Sequence, residues 1–126
     1  MAHRILVIDD NPANLALAAA VLQRAGYDVI EAESGEEALA LLSPEPPDLV
    51  LADIALPGMD GLAFTRALKA QPRLAHIPVL AVTAFAMKSD ERKALDAGCD
   101  GHVTKPIDIH ALPELVAQAL RRAAAN

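Results

Sequence analysis

The sequence predicts an α/β fold in which five strands alternate with five helices and join one parallel sheet covered on both faces. Three observations carry this. The runs Ile5-Leu6-Val7-Ile8 and Leu49-Val50-Leu51-Ala52 are short and uniformly apolar, as strands buried on both faces must be. Segments with helical spacing, opened by caps and closed by Gly or Pro, lie between such runs. The connections are short, which suits right-handed strand-helix-strand crossovers.

The first strand spans Arg4 to Ile8 and stops at Asp9-Asp10. Asn11 followed by Pro12 reads as an N-cap and first helical residue, and Leu15, Ala18, Leu22 and Ala25 repeat at helical spacing up to Gly26. Tyr27 to Ala32 mixes Val29 and Ile30 with Asp28 and Glu31, a more polar strand suited to a sheet edge. Ser34 and Glu37 form a capping-box pattern ahead of Ala38, Leu39, Leu41 and Leu42, and Pro44, Pro46 and Pro47 end that second helix. The third strand, Leu49 to Ala52, runs into Asp53 and then a turn rich in Pro57, Gly58, Asp60 and Gly61. Helix three is expected over Leu62 to Ala70, strand four over Val79 to Thr83, and helix four over Asp90 to Ala97 before Gly98. Strand five covers His102 to Thr104 and helix five Ile109 to Ala124, where Pro113 points to an irregular or later start. Strands one, three and four are the most apolar and belong in the middle, which gives the order 2-1-3-4-5, the known flavodoxin arrangement. The expected class is therefore flavodoxin-like (βα)5, with residues 1–126 forming one domain, no internal repeat and no effector domain.

Composition excludes several functions. Of the 126 residues 53% are hydrophobic but only 2% aromatic, so the core must be aliphatic and no ring platform exists for stacking bases. The net charge of −6 and the scattered Lys and Arg residues argue against direct nucleic-acid binding. Cys99 is the only cysteine, which rules out an internal disulfide and fits a small buried hydrophobe. No basic-then-apolar leader and no long apolar span occur, so a cytoplasmic domain without membrane insertion is expected. His3, His76, His102 and His110 lack ligand spacing and are given no metal role.

In a sheet of this order the functional crevice lies at the carboxyl ends of the strands. The polar residues stand there: Asp9 and Asp10 after strand one, Asp53 after strand three, Thr83 at the end of strand four and Lys105 after strand five. Taken singly, Asp9-Asp10 would be helix-end acids, Lys105 a solvated lysine and Thr83 a strand residue packing its methyl group. Together they make a site. Converging carboxylates repel and call for a hard cation, and oxygen-only ligands suit Mg²⁺. Lys105 can pair with Asp53 at rest and with phosphoryl oxygens afterwards, while the Thr83 hydroxyl donates to another oxygen. A carboxylate nucleophile in such surroundings is equipped to form an aspartyl phosphate.

Asp9-Asp10, Asp53, Thr83-Ala84 and Lys105-Pro106 resemble, in order and spacing, the signature of response-regulator receiver domains, and the likeness spans essentially the whole chain. More narrowly, Asp9 to Leu15 and His76 to Ile107, reading HIPVLAVTAFAMKSDERKALDAGCDGHVTKPI, are similar to DivK-type single-domain regulators; similar stretches occur in receivers attached to hybrid kinases. The resemblance implies that Asp53 is the phosphoacceptor and that Thr83 and Lys105 bind the phosphoryl group. It implies Asp10, Asp53 and the backbone carbonyl of Ala55 as Mg²⁺ ligands, Asp9 as a ligand through water, and a cis peptide before Pro106. His102 occupies the place where many receivers carry an aromatic switch residue, a departure that would make the coupling weaker or pH-sensitive. Phe85 and Met87 are either packing residues or a partner patch. Ala55 and Phe85 cannot activate a hydrolytic water, so the aspartyl phosphate should be long-lived.

The resemblance implies a histidine kinase or phosphotransferase as phosphodonor and a downstream protein target as output, with a homodimer as an allowed alternative. On this reading the chain catalyses only its own phosphorylation and dephosphorylation. Competing readings are a phosphorelay intermediate, a receiver separated from a hybrid kinase, and a phosphate-independent scaffold. An aspartate-nucleophile phosphatase would need a second acid where Ala55 stands, and a flavin phosphate would be repelled by Asp9-Asp10.

Overall fold

The computed structural model describes residues 3–43, 45–54, 61–83, 88–105 and 107–125. In chain order the elements are β1 (Arg4–Ile8), α1 (Pro12–Arg24), β2 (Asp28–Ala32), α2 (Gly35–Ala40), β3 (Leu49–Asp53), α3 (Gly61–Lys69), β4 (Val79–Thr83), α4 (Lys88–Ala97), β5 (Gly101–Thr104) and α5 (Leu112–Ala125). The five strands form one parallel sheet in the order β2-β1-β3-β4-β5, as the apolar pattern predicts. Every residue of β3 and β4 is buried, whereas β2 and β5 each keep one buried residue and are otherwise partly or fully exposed, as edge strands are.

Successive side chains of a strand point to opposite faces, and the sheet divides its core accordingly. Leu6, Ile8, Val50, Ala52, Val79 and Ala81 face α2, α3 and α4, where they meet Ala38, Phe64, Leu68 and Ala94. Ile5, Val7, Leu49, Leu51, Leu80 and Val82 face α1 and α5, meeting Leu15, Leu22, Leu112 and Val116. Among the buried hydrophobic residues described, Phe64 is the one aromatic side chain, and all the others but Cys99 are aliphatic.

The caps fix where the helices begin. Asn11 Oδ1 accepts from the N–H groups of Ala13 at 2.9 Å and Asn14 at 3.2 Å, and Ser34 Oγ accepts from Glu37 N–H at 3.1 Å. After α1 the chain turns at Gly26, whose φ of 98° lies in the left-handed region that favours glycine.

Several boundaries differ from expectation. The regular part of α2 ends at Ala40, with Leu41 as its cap and Leu42 buried just beyond it. Helices α3 and α4 begin earlier than expected, at Gly61 and Lys88, β2 starts at Asp28 and β5 at Gly101. Helix α5 begins three residues later than expected, at Leu112, because Asp108 organises the preceding residues into a separate turn. Its carboxylate accepts from His110 N–H at 2.9 Å and Ala111 N–H at 3.2 Å, leaving Pro113 in the first helical turn, where a missing N–H costs nothing. Among the described residues no helix is long and apolar enough to cross a membrane.

Candidate functional site

Among the described residues the buried polar and charged side chains are Asp9, Asp53, Thr65 and Thr83. Three of the four stand at the carboxyl ends of β1, β3 and β4. Strands β1 and β3 are neighbours in space, with α1 covering one face of the sheet and α2 the other, so their carboxyl ends open the crevice where strand order reverses. The backbone sets each position. Asp9 N–H donates to Ala32 O at 3.1 Å, Ile54 N–H to Val82 O at 3.1 Å, and Lys105 N–H to Thr83 O at 2.7 Å.

The side chains converge above these ties. Lys105 Nζ donates to Asp53 Oδ2 at 2.6 Å and lies 4.0 Å from Asp9 Oδ2. Asp9, Asp10 and Asp53 each offer a carboxylate oxygen, and the three oxygens all lie within 4.8 Å of one another. Asp9 Oδ1 accepts from Asn11 N–H at 2.9 Å, so it is held at the entry to α1. Asp53 and Asp9 are buried while Asp10 is exposed, which leaves the cluster open to solvent on one side.

This geometry is electrostatically tense. Burial pushes the Asp9 carboxyl above its usual value; the Asn11 N–H and Lys105 pull it down, and the charges on Asp53 and Asp10 push it up again. For Lys105, burial alone would lower the ammonium pKa, but its hydrogen bond and attraction to Asp53, reinforced by Asp9 and Asp10, carry it above the ordinary value. Three carboxylates against one ammonium leave an uncompensated negative charge in an all-oxygen donor set. That donor set fits a hard divalent cation such as Mg²⁺, whose ligand distance of about 2.1 Å lets oxygens on opposite sides of one ion stand roughly 4 Å apart.

Of the residues singled out in the sequence, the structure brings Asp9, Asp10, Asp53 and Lys105 into one cluster. Thr83 is buried at the end of β4, one residue beyond the Val82 that pairs with Asp53. His102 is exposed on β5 opposite Ala81 in the ladder. Ala55, Phe85, Met87 and Pro106, with the roles expected of them, lie outside the described residues.

Two features escaped the sequence. Gly61 reads there as one more turn glycine, yet it opens α3 against the backbone of Asp53. A cavity of about 370 Å³ beside Lys105 is lined by Asn14, Leu17 and Ile107. Leu17 is 48% exposed because it falls off the buried stripe of α1 formed by Leu15, Ala18 and Leu22, and that off-stripe leucine was the available signal.

A family model described as the response regulator receiver domain matches residues 5–117. The polar-differentiation response regulator DivK of Brucella ovis is 43% identical over 109 residues, covering 86% of this chain and 89% of that protein. Among solved structures, the signal receiver domain of a signal transduction histidine kinase from Syntrophus aciditrophicus superposes with a TM-score of 0.88 at 35% identity, covering 96% of this chain and 92% of the other. The receiver domain of a sensor histidine kinase from Pseudomonas aeruginosa, with a magnesium ion coordinated in its active-site cleft, gives a TM-score of 0.88 at 30% identity, covering 96% and 99%.

Proposed function

Since this chain belongs to the response regulator receiver family, we propose that it works as a single-domain response regulator that accepts a phosphoryl group on Asp53 and signals through phosphorylation-dependent protein contact. The observation that carries this reading is the 2.6 Å pairing of Lys105 Nζ with Asp53 Oδ2 inside a cluster of three carboxylates. A buried nucleophile held against a fixed ammonium, beside an acidic pocket, is an arrangement for positioning and charge neutralisation, which are the chief demands of phosphoryl transfer.

The donor is a phosphorylated histidine of a kinase or phosphotransferase. A carboxylate oxygen of Asp53 attacks phosphorus, the P–N bond breaks, and the departing imidazole keeps the bonding pair and takes up a proton. Lys105 exchanges its bond to the carboxylate for one to a phosphoryl oxygen, and Thr83 donates its hydroxyl to another. Asp10, Asp53 and the Ala55 carbonyl would hold Mg²⁺ directly, with Asp9 holding it through water; when bound, the ion neutralises charge on the transferring group. The cavity formed by Asn14, Leu17 and Ile107 beside Lys105 supplies an apolar rim on which a donor protein can rest.

The decisive experiment is intact mass after incubation with acetyl phosphate and Mg²⁺. The wild-type chain should gain one phosphoryl group, whereas Asp53→Asn and a chelated sample should gain none; an unmodified wild type would instead favour the phosphate-independent scaffold. Co-purification with wild type and Asp53→Asn would then identify donors and targets. The likeness to receiver domains of histidine kinases supports a second reading, a relay intermediate or a receiver separated from a hybrid kinase. On that reading the phosphorylated chain should pass its phosphoryl group on to a histidine phosphotransferase.

A further inference from the structure

The first residue of α3 touches the strand that ends in Asp53. A Cβ added to Gly61 would lie 2.8 Å from the carbonyl carbon of Asp53 and 2.9 Å from Ile54 Cα, with the Asp53 carbonyl oxygen nearer still. Real Cβ atoms essentially never come this close, and all three neighbours are backbone, so no flexible side chain can swing aside. On the other side the same backbone is fixed to β4, because Asp53 pairs with Val82 and Ile54 N–H donates to Val82 O at 3.1 Å. The residue bearing the carboxylate is thus clamped between β4 and the bare Cα of Gly61.

Gly61 is itself held. Thr65, fully buried, donates its hydroxyl to the Gly61 carbonyl at 2.7 Å, and Thr65 Oγ1 receives the Cys99 thiol at 3.7 Å. The thiol is buried and its pKa is pushed up, chiefly by desolvation, so it stays a neutral donor. This back-bond, made by a buried hydroxyl between the core residues Phe64 and Leu68, adds a second tie to the Gly61 carbonyl at the helix end that meets Asp53.

We propose that Gly61, anchored by the Thr65 hydroxyl, is a positioning residue for the Asp53 nucleophile: its missing side chain sets how deep Asp53 sits and hence how its carboxylate meets Lys105 and the incoming phosphorus. The inference rests on the proposed phosphorylation of Asp53. Neither Gly61 nor Thr65 touches the transferred group, so their effect must appear in the rate of transfer once donor and metal are saturating.

The test compares wild type, Gly61→Ala, Thr65→Val and Thr65→Ser, with acetyl phosphate as donor, saturating Mg²⁺, intact mass as the readout and circular dichroism to score the folded fraction. Relieving the clash moves Asp53 by roughly an ångström, enough to slow a positioned reaction by about 10- to 100-fold. Gly61→Ala should therefore lower the limiting rate per folded molecule at least tenfold, with the KM for acetyl phosphate changed much less. Thr65→Val should also slow transfer, and Thr65→Ser, which keeps the hydroxyl, should restore it. Folded Gly61→Ala reacting within twofold of a phosphorylated wild type overturns the inference and leaves the functional reading standing. A wild-type chain that takes no phosphoryl group defeats the functional reading, and the inference with it. Should Gly61→Ala fail to fold, the threonine pair decides: Thr65→Val as fast as wild type, or Thr65→Ser as slow as Thr65→Val, overturns the inference.

Discussion

Replacing Asp9 by Asn should stabilise the metal-free domain and weaken its response to Mg²⁺. The carboxylates of Asp9 and Asp53 have oxygens within 4.8 Å, and at an effective dielectric constant of about 20 two such charges repel by about 3.5 kcal/mol. Lys105 Nζ, 4.0 Å from Asp9, attracts it by about 4 kcal/mol on the same scale. These two terms nearly cancel, the solvent-exposed Asp10 adds a more strongly screened repulsion, and desolvation, the largest cause, works in the same direction: Asp9 is 5% exposed, and among the described residues the N–H of Asn11 is what offsets its lost hydration. An incompletely compensated buried charge costs about 1–3 kcal/mol, which is the stabilisation expected for Asp9→Asn. The amide oxygen can still accept from Asn11 N–H. Urea unfolding in chelator measures the difference, which should shrink as pH falls toward 3.8, the ordinary value of the group. Because the folded protein raises the Asp9 pKa, it binds a proton that the unfolded chain has already lost; stability therefore declines as pH rises from 3.8 through the folded value. Mg²⁺ at a hundred times its Kd adds about 2.7 kcal/mol to the wild type, and the variant should gain clearly less. An Asp9→Asn protein less stable than wild type in chelator, or gaining as much from Mg²⁺, would refute this electrostatic account.

Lys105→Met should abolish most phosphoryl transfer from acetyl phosphate and destabilise the metal-free fold by about 1–3 kcal/mol, because Asp53, nearly fully buried, loses its ammonium partner, while the partly exposed lysine keeps the cost below that of breaking a fully buried pair. The wild-type contribution of this lysine is fully present below pH 10.5 and is lost above it as the raised pKa is passed, so urea midpoints of wild type and variant should converge at strongly alkaline pH. With Ala55 and Phe85 unable to direct a water, the aspartyl phosphate should persist for minutes or longer; decay within seconds, followed by intact mass, would contradict the assignment. Phe64→Ala, which empties a fully buried site between α3 and the sheet, should cost about 3–5 kcal/mol in urea unfolding while leaving the site's charged residues in place.

The strand order and the gathering of polar residues at the carboxyl ends were legible in the sequence because both follow from one-dimensional signals. Uniform runs such as Leu49 to Ala52 mark central strands, and mixed ones such as Asp28 to Ala32 mark an edge. The later start of α5 was only partly legible, since Pro113 signals irregularity but does not reveal that Asp108 builds a turn of its own. His102 is the reverse case: its place before Lys105 drew attention, and the structure sets it exposed on β5 without assigning it a switch role.

By itself, then, the sequence determined the class of fold, the residues of the acidic cluster and the lysine that answers it, because hydrophobic period and strand-end position are local properties of the chain. Tertiary structure alone decided the distances that turn those residues into a site: Lys105 at 2.6 Å from Asp53 across 52 positions of sequence, and the bare Cα of Gly61 against the Asp53 backbone. Both depend on how β3, β5 and α3 pack together. No local pattern encodes such contacts, since they are set by the joint fit of elements far apart in the chain.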